Sequence, residues 1–190
     1  MKQDISNNFS DDEIIRKILD DSLTEYFKVL YKKYYPKVLD KCYSMVKNKS
    51  LAEELAEDIL SNTYEKLPSF KRMSSFSSWL YSITYNYCID YLRKKNKLHY
   101  PKWSRENEIT GMIDETDENI ENISYDKLMV ILDQIHTEEK ALLLMKYQDN
   151  LSIKQISGAL RISDDAAKMR LKRARTRVIY LYKRKYLNDI

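Results

Sequence analysis

LSIKQISGALRISDDAAKMRLKRARTR, residues 151–177, carries the signals of two helices and the short turn between them. Ser152 followed by Gln155 has the spacing of a capping box, and Ile153, Ile156 and Leu160 form the apolar stripe of the helix it opens. Arg161-Ile162-Ser163 turns the chain. Ser163 can cap a second helix whose first turn holds Asp164 and Asp165, acids that a helix N-terminus favours. In that helix Ala167, Leu171, Ala174 and Val178 recur on one stripe. Asp165, Met169, Lys172 and Arg173 lie opposite it, flanked by Lys168 and Arg170. Short acids at the start and bases along the exposed face suit a helix that reads the DNA major groove. An amphipathic helix with a merely solvated basic face carries the same pattern, so the rest of the chain must decide.

The chain has 190 residues, enough for one domain or two small ones with a buried core. Two glycines and three prolines are few breakers, which implies a mostly helical, all-α protein with few tight turns. Its net charge of +4 is unevenly spread. Residues 164–185 hold nine Lys or Arg against two Asp, whereas residues 97–125 hold three Lys or Arg against seven acids. The basic end points to nucleic acid and the acidic middle to a different task.

Cys42 and Cys88 lack metal-site or CxxC spacing and fall in helical patterns, so they read as reduced core thiols. No apolar run is long enough to cross a membrane and no signal sequence is evident, so a cytoplasmic protein is expected. His99 and His136 have no carboxylate or cysteine partners at ligand spacing and read as surface residues. With two glycines there is no phosphate-cradling loop. No catalytic residue, metal site or cofactor is expected, and an enzyme is disfavoured.

Along the chain, residues 1–9 read as a tail. Ser10 with Glu13 makes a capping box before Ile14, Ile15, Ile18 and Leu19. A second helix runs from Leu23 to Tyr34, and Pro36 is placed in the first turn of a third, which continues through Val38, Cys42 and Val46. Ser50 with Glu53 reads as the capping box of a helix ending at Pro68. After a polar loop at 69–74, a long helix spans about 75–95. Its inward stripe is expected at Phe76, Leu80, Ile83, Thr84, Tyr87 and Tyr91, and its outer face at Ser82, Tyr85, Asn86 and Arg93, with Trp79 to one side. Aromatic, amide and basic groups on one face can stack on and hydrogen-bond to unpaired bases; the alternative is that Trp79 and Tyr85 are peripheral core, and for Trp79 the two readings weigh about equally. Periodicity vanishes from Leu98 to Asn122, where Pro101, Gly111 and an acidic run mark a linker and Trp103 is the odd aromatic. Helicity resumes near Tyr125, and a further helix begins at Thr137.

With these residues laid out, residues 26–177 resemble the extracytoplasmic function (ECF) group of bacterial RNA polymerase sigma factors. Three passages carry the likeness: Ala56-Glu57-Asp58-Ile59-Leu60; Phe70 with Ser74 to Ile83 followed by Asn86, Asp90 and Arg93; and Leu151 to Arg175. The resemblance implies two helical domains, region 2 over residues 10–97 and region 4 over 123–190, joined by an acidic linker at 98–122. It implies that Glu57, Asp58, Leu60, Ser61 and Tyr64 meet core polymerase. Phe70, Lys71, Arg72, Ser74, Ser75, Trp79, Tyr85, Asn86 and Arg93 would engage the minus-ten element as single strand. Ser163, Lys168, Met169, Arg170, Lys172, Arg173 and Arg175 would hold the minus-thirty-five element as duplex. An anti-sigma protein is a further partner the resemblance admits. Ser61 departs from a usual Gln, Arg161 from a usual turn Gly, and Ala166-Ala167 from a commoner Thr-Val. A helix-turn-helix regulator acting without polymerase explains residues 151–177 but leaves the two earlier passages without a role.

Overall fold

The structure, a computed structural model, describes residues 9–21, 23–96 and 123–187. They form eight α-helices and, among the described residues, no strand. The expected acidic linker, with His99 and Trp103, lies outside the described residues. The chain divides into two compact units, residues 1–88 and 89–190, so the boundary falls within the fourth helix rather than after it.

In the first unit, α1 spans Asp11–Leu19 and opens on the expected capping box. Ser10 Oγ accepts from Glu13 N, and Ser10 N donates to the Glu13 carboxylate at 2.7 Å. Ile14, Ile15 and Ile18 bury its inner face. A 3-10 turn at Thr24–Tyr26 leads into α2, Phe27–Val46.

Pro36 does not start a helix, contrary to the expectation from its position: it lies inside α2, which runs unbroken past it. Proline deletes the hydrogen bond to the carbonyl four residues earlier, here that of Lys32. Both Lys32 and Pro36 are exposed, so water can satisfy that carbonyl. Helix α3 spans Lys49–Lys66 and begins before the Ser50–Glu53 pair expected to cap it. Asn48 is the cap, its side chain accepting from Leu51 N at 2.9 Å.

Helix α4 is Phe76–Asn96. Its buried residues include Phe76, Leu80, Thr84, Tyr85, Cys88 and Ile89, whereas Ile83, Tyr87 and Tyr91 are only half-buried. Tyr85, placed on the outer face by the sequence, is fully buried. A surface helix hides a single stripe, whereas the buried arc of α4 is wide enough to take in Tyr85 beside Thr84.

The second unit contains α5 (Tyr125–Leu132), α6 (Thr137–Leu143), a π-helical extension at Leu144–Gln148, α7 (Ile153–Leu160) and α8 (Asp164–Tyr186). Helices α5, α6 and α7 all pack on α8. The expected stripe of Ala167, Leu171, Ala174 and Val178 is buried against them. His136, read from the sequence as a surface residue, is half-buried and caps α6. Its Nδ1 accepts from Glu138 N at 3.3 Å, and its backbone N–H donates to the Glu139 carboxylate at 3.3 Å.

Candidate nucleic-acid interface

The helix-turn-helix at α7 and α8 is built by local chemistry. Ser152 and Gln155 make the expected reciprocal cap, with Ser152 N donating to Gln155 Oε1 at 2.8 Å. Arg161 ends α7 in the left-handed region at φ 55°, where a glycine would carry no side-chain penalty. Ser163 Oγ accepts from Ala166 N at 3.1 Å to start α8. The Ser157 hydroxyl donates to Asp164 and ties the body of one helix to the first turn of the next. The turn is therefore pinned from both sides.

Lys168, Met169 and Lys172 project from the early turns of α8 into solvent, and Met169 is 46% exposed. Ser163 is also exposed, although its hydroxyl is engaged as the cap. Arg170 turns back toward the body of the unit, its Nη1 3.3 Å from Glu138 Oε2. Arg173 and Arg175 are half-buried. Helices α5 and α6 pack on this helix, and Thr176, Val178 and Ile179 are buried. The fully exposed basic surface of this helix thus runs from its start to Lys172 before the half-buried Arg173 and Arg175.

Sequence reading missed what lies beneath that face. Glu138, Glu139 and Lys140 are buried side by side at the start of α6. Glu138 receives Arg170, and Glu139 lies 3.4 Å from Arg177. Lys140 Nζ reaches Asp133 at 2.6 Å. Burial pushes the Glu139 carboxyl above its usual range, against the opposing pull of Arg177. Burial also lowers the pKa of His136. The one sequence signal was the reciprocal cap spacing from His136 to Glu139, with histidine in an unusual capping role.

In the first unit, the loop before α4 and its outer face form a separate surface. Phe70, Phe76 and Trp79 make an aromatic cluster, with the Trp79 ring 5.0 Å from Phe70 and 5.7 Å from Phe76. Phe70 and Phe76 are buried, whereas Trp79 is half-exposed and can present an edge. Lys71, Arg72, Met73 and Ser75 are exposed, and Ser74 is half-buried. Arg72 adopts φ 55°, a left-handed conformation that turns the loop sharply. Ser75 Oγ accepts from Ser78 N at 3.2 Å and fixes the start of α4. On the helix itself Trp79, Ser82 and Asn86 share one half-exposed face. Arg93 falls in the second compact unit, where its Nε donates to Glu138 Oε1 at 2.7 Å and its Nη1 pairs with Asp90 at 3.3 Å. Tyr85 is absent from this face because it belongs to the core.

On α3, Glu57, Asp58, Ser61 and Tyr64 are exposed. Asp58 accepts from the Tyr87 hydroxyl at 3.0 Å, and Tyr64 packs edge-on to Phe27 at 4.9 Å. Leu60, expected among the core-polymerase contacts, is 2% exposed and is corrected to an interior residue. Its neighbours Ala56 and Ile59 share the buried stripe that carries it inward.

No helix among the described residues is long and apolar enough to cross a membrane. No cluster of three or more metal-ligating side chains occurs among them.

Two family models match this chain in order: sigma-70 region 2 over residues 30–98 and sigma-70 region 4 over residues 125–178. Among curated proteins it is similar to the ECF RNA polymerase sigma factor SigW of Bacillus subtilis, 28% identical over 174 residues. That match covers 83% of this chain and 86% of SigW. It is also similar to SigX of the same organism, 22% identical over 151 residues, covering 77% of this chain and 78% of SigX. Two solved structures share the fold. The sigma factor RpoE, in complex with the anti-sigma factor NepR from Bartonella quintana, superposes with a TM-score of 0.59 at 17% identity, over 85% of this chain and 98% of RpoE. CnrH in complex with the cytosolic domain of CnrY superposes with a TM-score of 0.60 at 14% identity, over 90% of this chain and 97% of the other.

Proposed function

The chain belongs to the ECF group of RNA polymerase sigma factors, and from that premise we propose which of its surfaces meet promoter DNA and which meet core polymerase. As a sigma factor it binds core RNA polymerase and directs promoter recognition and transcription initiation. Residues 10–97 act as region 2 and residues 123–190 as region 4, with 98–122 tethering them.

The observation that carries the assignment in region 4 is the exposure of Lys168, Met169 and Lys172 on the first turns of a helix pinned at its start. That geometry suits insertion into the major groove of the minus-thirty-five element. Lysine can donate to guanine O6 and N7, and the Met169 side chain can pack against a thymine methyl. Ser163 lies at the helix start, where backbone N–H groups favour a phosphate. Arg170, Arg173 and Arg175 supply positive potential from beside the reading face, with Arg170 oriented by Glu138.

In region 2, a minus-ten base that leaves the stack needs a pocket and stacking partners to offset the cost of unpairing. The loop of Lys71, Arg72, Ser74 and Ser75 supplies polar groups around such a base, over the Phe70 and Trp79 rings. Asn86 and Arg93 lie along the path of the strand. On α3, Glu57, Asp58, Ser61 and Tyr64 form the surface offered to core polymerase. The chain acts in the cytoplasm as a non-catalytic factor without a cofactor. We include an anti-sigma protein among its partners, supported by the two solved relatives, each captured with such a protein or a partner's cytosolic domain.

Size exclusion of the purified chain mixed with bacterial core polymerase tests this reading. Co-elution that weakens when Asp58 and Ser61 are changed together to Arg is expected. Failure to co-elute, combined with tight duplex binding by the chain alone, would instead indicate a regulator acting without polymerase.

A further inference from the structure

The chain has two cysteines in 190 residues, and the fold brings them together. Cys42 lies in the last turns of α2 and Cys88 on α4, 46 positions apart in sequence. Both are fully buried, and their Sγ atoms are 3.7 Å apart, in direct contact. Both belong to the first compact unit. The promoter and polymerase surfaces proposed above use neither thiol.

We propose that Cys42 and Cys88 form a modification site, a dithiol that a peroxide-class oxidant converts to an intramolecular disulfide joining α2 to α4. A disulfide bond is about 2.05 Å long, so the sulfurs must approach by a further ~1.7 Å, through side-chain rotation together with local movement of the two helices. In the first step one thiolate attacks the peroxide, displacing hydroxide and becoming a sulfenic acid. In the second the neighbouring thiol attacks that sulfur and expels water. Two thiols lose two electrons and two protons in all, and one hydrogen peroxide becomes two waters.

Two features make the site slow but selective. Contact with Cys42 and burial raise the Cys88 thiol well above its ordinary pKa, so its reactive thiolate is scarce. Peroxide must also wait for the helices to open locally. Once a sulfenic acid forms, the partner sulfur is already in contact and captures it before a second oxidation. The product closes a long loop, which restricts the unfolded chain and stabilises the fold. This inference is independent of the promoter assignments.

The test treats the full-length chain with hydrogen peroxide in native buffer and follows intact mass, a non-reducing peptide map and the melting temperature. The expected product has lost two hydrogens, links the Cys42 and Cys88 peptides, melts several degrees higher and reverts with dithiothreitol. The Cys42→Ala and Cys88→Ala variants should each form no such link. Oxygen addition at one sulfur without a link, disulfide-bonded dimers alone, or a lowered melting temperature would overturn the proposal. So would complete inertness in a sample whose thiols both react after denaturation.

Discussion

Arg177 Nη1 lies 3.4 Å from Glu139 Oε2, and the Glu139 carboxylate is 1% exposed. The contact joins the middle of α8 to the first turn of α6, so α8 is held by a buried charge. Changing Arg177 to Met removes the counter-charge while retaining much of the apolar stem. Glu139 is left buried without that partner, a situation that costs about 3 kcal/mol or more. Chemical denaturation should show region 4 unfolding earlier in the variant, and Arg177→Met should lose minus-thirty-five binding only in proportion to that unfolding.

His136 gives the same unit a pH dependence. Burial lowers its pKa, so the unfolded chain takes up a proton at a higher pH than the folded chain does. Its stabilising contribution is complete above the ordinary histidine pKa of about 6.5 and is lost as pH falls through the lower folded value. Asparagine is a good N-cap residue and does not titrate. His136→Asn should therefore keep α6 capped and flatten the fall in melting temperature below pH 6.5. An unchanged pH profile in the variant would assign that dependence to another group.

Glu139 contributes with the opposite sign. Its folded pKa is raised, so its contribution is present at low pH and is lost as pH rises through the folded value. Glu139→Gln keeps an acceptor for the His136 backbone N–H and removes the charge. The wild type should lose stability relative to this variant as pH rises from the ordinary glutamate range, measured by denaturant midpoints across an acid series.

Two substitutions in the helix-turn-helix should stabilise it. Arg161 occupies the left-handed region at φ 55°, and glycine there removes side-chain strain, for a net gain of roughly 0.5–1 kcal/mol. Gly158 is exposed inside α7, and a Cβ added there meets nothing within 4 Å. Gly158→Ala should add up to about 1 kcal/mol through helix propensity alone. The two gains should be read separately by denaturant midpoints, since the residues are close enough to couple.

Tyr85 and Asn86 are neighbours on α4 with opposite environments, one fully buried and one half-exposed. Tyr85→Ala should cost about 3–5 kcal/mol of stability by leaving a cavity. Asn86→Ala should change stability by about 0.5 kcal/mol or less and act on DNA opening instead. Thermal melts of the free chain, paired with opening assays on the holoenzyme, separate the two effects.

Much of this architecture was legible in the residues. Ser10, Ser152 and Ser163 cap the helices they announce, because a short acceptor before an apolar repeat has few competing uses. The small-residue stripe of α8 was readable because Ala167 and Ala174 allow close approach by the surrounding helices. Other signals were ambiguous in kind. Pro36 fits a helix start and an exposed helix interior equally well, and only burial of the Lys32 carbonyl would have forbidden the second. Asn48 and Ser50 both offer a cap within three residues, and the structure uses Asn48.

Tyr85, Leu60 and the arginines of α8 depend on how many neighbours cover each helix, which periodicity on a single helix does not encode. The same holds for the meeting of Cys42 with Cys88 across 46 positions. The polar face of α8 looked continuous from Lys168 to Arg175 in one dimension. In three dimensions Arg173 and Arg175 are half-buried on a helix against which α5 and α6 pack, so the fully exposed basic surface is shorter than the sequence suggested.

The most direct measurement of the central claim is permanganate footprinting of a matched promoter by holoenzyme assembled from this chain and core polymerase. Wild-type chain should expose reactive thymines across the minus-ten element. Lys172→Ala should weaken promoter occupancy, and Asn86→Ala should leave occupancy intact while suppressing the reactivity. If the assembled holoenzyme opened no promoter, or both variants opened it as the wild type does, the assignment of these two faces to promoter DNA would be contradicted.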